Sequence, residues 1–128
     1  MKMCPVGTVP AFVKAVVFSI MKFFVPFERR IEAVELLRSM HGRLEIIPEC
    51  KGFWIEQRES PCSHILYAEQ WQSEEAIYEH IRSALYRRVL AVIELSRQAP
   101  EINLYFISQI KGMELIQELR GAAAPSAN

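Results

Sequence analysis

Cysteine is scarce: Cys4, Cys50 and Cys62 are an odd number at irregular spacing, which excludes both a disulfide framework and a zinc site. A reducing cytoplasm is the simpler setting for such a chain. An excess of one charge is also missing. Fifteen basic and fifteen acidic residues cancel, so no field steers the protein toward nucleic acid or an anionic membrane. Near-zero net charge permits self-association. Long apolar runs are lacking too. The greasiest stretch, Pro10 to Phe27, is broken by Lys14 and Lys22 and never reaches the ~18 uninterrupted apolar residues of a membrane span. Glycine-rich phosphate loops, a Ser-His-Asp set and paired catalytic carboxylates are absent, and His41 and His64 have no partner at metal-ligand spacing. Nucleotide, metal and serine-hydrolase chemistry are thereby set aside.

What is present is the patterning of one domain. The 128 residues suffice for a single core without staples. Residues 1–12, with two prolines and a glycine, read as a flexible arm, and 122–128 as a frayed tail. Ala15 to Val25 is β-branched and aromatic, with Val16/Phe18/Ile20/Phe24 on one face and Val17/Met21/Phe23 on the other. Pro26 stops it. Ala33, Leu37, Met40 and Leu44 then step at helical spacing, in a helix that ends or kinks near Gly42 and is finished by Pro48. Gly52–Glu59 and Ser63–Gln72 read as strands around a Ser60-Pro61-Cys62 turn. That turn puts Cys50 opposite the far end of the second strand and away from Cys62.

Ser73 is a good N-cap, followed by Glu74 and Glu75 at the positive end of the helix dipole. Ile77, Ile81 and Ala84 form one apolar stripe, with His80 on the same side. Tyr86, Val89, Leu90 and Ile93 form another, nearly opposite. One straight helix cannot bury both, so the spacing predicts a break at Ser83. Pro100 ends the second helix. Ile102–Ile110 alternates as a fourth strand, and Met113–Arg120 is a short amphipathic helix after Gly112.

The order strand, helix, strand, strand, helix, strand is the split βαβ arrangement: an α+β, ferredoxin-like domain over 13–112 with a four-stranded antiparallel sheet and a C-terminal helical extension. Helices cover one side of that sheet, yet its first and last strands are apolar on both. A second copy of the chain is the economical cover, so a homodimer through the open sheet face is expected.

The segment Pro48-Glu49-Cys50, the strand ILYAEQW, the helix SEEAIYEHIRS and the strand near Ile102–Ser108 together resemble the antibiotic biosynthesis monooxygenase (ABM) family of dimeric α+β barrels. The likeness spans roughly residues 15–110. The family's usual Pro-Gly-Cys stands here as Pro48-Glu49-Cys50, with the glycine displaced to Gly52. In its haem-degrading branch a tryptophan and, ten residues on, an iron-ligating histidine match His80 and Leu90 here. Leucine cannot ligate iron, so the resemblance implies no haem degradation.

What the resemblance does imply is an oxygenase without flavin, haem or metal, in which an electron-rich phenol or quinol reduces oxygen itself. Such chemistry needs a dry aromatic pocket and a proton acceptor near neutral pH. His80 is the candidate base. Tyr67, Glu69 and Trp71 share a strand face and could line the same cavity, Tyr86 could offer a hydroxyl, and Arg82 could meet an anionic substrate group. Each has a plainer reading. His80 could be a buried histidine bonded to backbone, Trp71 and Tyr86 simple packing, and Glu69 the salt-bridge partner of an arginine. Arg29/Arg30 and Arg87/Arg88 read as solvated or dimer-contact charges. The alternative function is a non-catalytic dimer that binds a small hydrophobic ligand or a partner protein, with the C-terminal helix capping a pocket or crossing to the other subunit.

Overall fold

The computed structural model describes residues 16–122; the arm read over 1–12 and the tail from 123 onward lie outside the described residues. Alternating β-branched and aromatic residues form β1 (Val16–Phe23), β2 (Cys50–Arg58), β3 (His64–Trp71) and β4 (Glu101–Ile107). All pairings are antiparallel, in the order β2-β3-β1-β4. Cys50 pairs with Trp71, at the far end of β3 from Cys62.

Between β1 and β2 run a single 3-10 turn (Phe27–Arg29), α1 (Arg30–Arg38) and α2 (His41–Glu45). Ala33, Leu37, Met40 and Leu44 are all fully buried, as their spacing requires. The break comes at Ser39–Met40, ahead of Gly42. There the Arg88 guanidinium donates to both the backbone carbonyl and the hydroxyl of Ser39, each at 2.8 Å. A cation thus satisfies a carbonyl that the end of the helix leaves free.

After β3, Ser73 caps α3 (Glu74–Arg82) by accepting the Ala76 N–H. The helix ends where expected, with Ser83 in extended conformation, and α4 (Arg87–Leu95) follows on a new axis. The inward residues of α3 are Ile77 and His80, while Ile81 and Ala84 are exposed. Two turns of helix present only a narrow stripe to the sheet, and Ile81 falls on its flank. Leu85, Tyr86, Val89 and Val92 are the buried residues of α4 and the turn before it.

The helices cover the sheet face that carries Val17, Met21, Phe23, Ile65, Tyr67, Glu69 and Trp71, all buried. The other face carries Phe18, Ile20, Leu66, Ala68, Trp54 and Tyr105, partly or largely exposed. Trp54 lies along this face, stacked on Phe18 at 6.4 Å. It reaches there by crossing Gly52, where a Cβ would stand 3.1 Å from the indole. A register irregularity between Cys50 and Gly52 accompanies that approach. The last helix, α5 (Met113–Ala122), leaves Met113, Ile116 and Leu119 exposed.

Candidate functional site

Period-two alternation along β3 places Tyr67, Glu69 and Trp71 in one row beneath α3. Glu69 is 1% exposed, in a row otherwise made of large apolar groups. A carboxylate survives there only if donors surround it. They do. Its Oε2 accepts from the Tyr67 hydroxyl and from His80 Nε2 at 3.0 Å, and its Oε1 accepts from Trp71 Nε1 at 2.8 Å. The partner of Glu69 is therefore a histidine, two aromatic donors completing the shell, where a salt bridge to arginine was the plainer expectation.

His80 is 4% exposed. Its ring stacks on Trp71 at 4.6 Å and 27°, and meets Tyr86 edge-on at 5.1 Å and 89°. With Glu69 as an acceptor, Nε2 must carry the proton, so the neutral ring keeps its lone pair on Nδ1. The Ser83 break makes this cluster. It ends α3 one turn past His80 and lets the chain turn back so that Tyr86 closes on the ring.

A cleft of about 880 Å³ opens beside the cluster. Trp71 and His80 form part of its wall, with Ile46, Ile47, Ala76 and Leu85 among the apolar lining. Arg43, Glu49, Glu75 and Glu79 also line it. Tyr67, Glu69 and Tyr86 stand behind His80 and do not face the cleft. Arg82 is outside the cluster altogether: it is largely exposed and pairs with Glu79 at 3.7 Å. The helix turn that aims His80 inward aims Arg82 outward. Sequence reasoning missed Ile46 and Ile47, in the connection from α2 to β2, and Leu85, in the turn between α3 and α4, where no periodicity marks them.

Neither a family model nor a curated protein matches the chain in sequence. Solved structures do match it. A Nitrosomonas europaea protein provisionally named an antibiotic biosynthesis monooxygenase superposes with TM-score 0.65 at 15% identity, over 80% of this chain and 100% of that one. One from Deinococcus radiodurans, with the same provisional name, gives 0.64 at 18%, over 75% and 96%. A conserved protein of Methanosarcina mazei gives 0.65 at 21%, over 73% and 93%. The fold is that of the antibiotic biosynthesis monooxygenases. At these identities the likeness carries the architecture alone, and any role within the ABM fold must be argued from this chain's own side chains. Leu90, which the resemblance set opposite an iron ligand, is half exposed on α4 and is not among the residues lining the cleft. Among the described residues no group of three His, Cys, Asp or Glu could hold a metal ion, and no helix is long and apolar enough to cross a membrane.

Burial, reinforced by the charge of Glu69, pushes Tyr86 up to about 12 from its ordinary 10.0. Burial likewise holds Tyr67 far above its usual range, with the Glu69 charge and hydrogen bond adding to it. Both phenols stay neutral in the folded protein and ionise more readily once unfolded. Their contribution to stability is complete below pH 10 and declines as pH rises through the folded value of Tyr86, about 12. An alkaline titration followed at 295 nm should show the late tyrosinate absorbance rising together with loss of the far-ultraviolet circular dichroism signal. Full tyrosine ionisation at pH 10.5 in a folded protein would contradict this.

Proposed function

We propose that this protein is a member of the ABM family that oxygenates a small aromatic or quinol substrate without flavin, haem or metal. The observation that carries the reading is the Glu69–His80 pair set against Trp71 in the wall of an apolar-lined cleft. His80 would take the proton of a phenolic hydroxyl, and the Glu69 carboxylate and the Trp71 face would stabilise the imidazolium that results. The substrate anion then passes an electron to oxygen, and the radical pair joins as a carbon-bound peroxide. Loss of water from that peroxide leaves a carbonyl. One oxygen atom stays in the product, and the other leaves as water with the two hydrogens lost from the substrate.

We also take the working unit to be a homodimer closed across the open sheet face. Phe18, Ile20, Trp54, Leu66 and Tyr105 make that face too apolar to leave to water.

Oxygen uptake with a panel of quinols and anthrones tests the oxygenase. Wild type should consume oxygen with at least one of them, and His80→Ala should slow that turnover by about a hundredfold or more. Equal inactivity of both across the panel would remove the reading. A second function, binding of a hydrophobic molecule without turnover, is favoured by the apolar wall of Ile46, Ile47 and Leu85. Compounds that raise the melting temperature and are recovered unchanged under oxygen would establish it.

A further inference from the structure

At the opposite end of the sheet, about 23 Å from Trp71 along β3, lies a second cleft of about 520 Å³. Its polar centre is Arg30, which is 8% exposed although the sequence reads as if it were solvated. A guanidinium keeps its charge when buried and presents five N–H donors. Here Nη1 donates to Glu59 at 3.3 Å, and Nη2 donates to the Val25 carbonyl at 3.4 Å and to the Ser63 hydroxyl. The Nε donor has no acceptor, the one buried side-chain polar atom among the described residues left in that state. A buried cation with a donor unsatisfied is costly unless something completes it.

That nitrogen is itself sealed from solvent, so a molecule in the cleft would meet the Nη1 edge that Glu59 now holds. Two further features bear on what that molecule is. Arg97 lines the same cleft, held there because its backbone N–H donates to the Phe24 carbonyl at 2.7 Å while Ser96 Oγ accepts the Phe24 N–H at 2.9 Å. The remaining wall is apolar, from Phe24, Val25 and Pro26 to Phe27, a phenyl ring 82% exposed at the rim. Glu59 is 78% exposed, so its carboxylate can swing away from Arg30 at little cost. Glu28 and Glu59 both line the cleft and offset the two arginines, which disfavours a dianion such as phosphate.

We propose that this cleft is a second binding site, for a small organic monocarboxylate with an aromatic or branched apolar body. The carboxylate pairs with Arg30 and Arg97, and the body packs against Phe24 and Phe27. The site is independent of the oxygenase reading.

Arginine Nε–H resonances in 1H–15N spectra of the full chain report on it directly, with Arg30→Lys assigning the Arg30 signal by its disappearance. Benzoate should move that signal saturably, acetate should bind more weakly for want of a ring, and inorganic phosphate should leave it in place. Arg97→Ala, an exposed change that keeps the fold, should weaken benzoate about tenfold or more. The proposal is overturned if benzoate at tens of millimolar leaves the Arg30 signal unmoved, if phosphate moves it as strongly as benzoate, or if Arg97→Ala binds benzoate as well as wild type does.

Discussion

Glu69→Ala should lower the unfolding free energy by about 3–5 kcal/mol, because each buried donor left without its acceptor costs about 1–3 kcal/mol. Three donors converge on that carboxylate: the Tyr67 hydroxyl, Trp71 Nε1 and His80 Nε2. All three residues are buried, so truncation strands each donor away from water. It also leaves a void beneath α3. Glu69→Gln keeps the shape and one acceptor oxygen but turns an amide N–H toward a donor, so it should cost less than alanine and more than a surface change. Urea unfolding is the measurement, read as a fall in midpoint at unchanged slope. A loss under about 1 kcal/mol for the alanine variant would mean that water, and not a closed ring of donors, surrounds this carboxylate.

Ile20→Lys should convert the proposed dimer to a monomer, raising its dissociation constant by about a thousandfold or more, since like charges forced together across an interface cost several kcal/mol. Ile20 lies on the open face of β1, between Ala68 of β3 and Asn103 of β4. A two-fold interface repeats every change, so one substitution places two ammonium groups in the same apolar layer. The core on the helix side, from Val17 to Phe23, is untouched, and the monomer should keep its secondary structure. Sedimentation velocity across micromolar concentrations decides the matter. A wild-type chain that sediments as a folded monomer would end the dimer proposal outright.

Much of the architecture is legible in local pattern, because burial on one face imposes a period that survives in the residue order. Ala33, Leu37, Met40 and Leu44 announce their helix, and Ser73 its capped start. The two conflicting stripes around Ser83 locate the break, since one cylinder has one inward side. His80 and its neighbours on β3 could be nominated for the same reason: alternation and helical spacing turn them toward the same interior.

Residue order by itself determined the α+β layering, the strand pairing around the Ser60–Cys62 turn, and the row Tyr67, Glu69, Trp71. These depend on neighbours within a few residues, whose geometry the backbone dictates. Only the tertiary structure decided that Glu69 belongs to His80, that Arg82 points away, and that Arg30 is sunk beside Ser63, thirty-three residues along the chain. Those outcomes join segments distant in the chain, and no periodicity encodes which side chain of one element meets which of another.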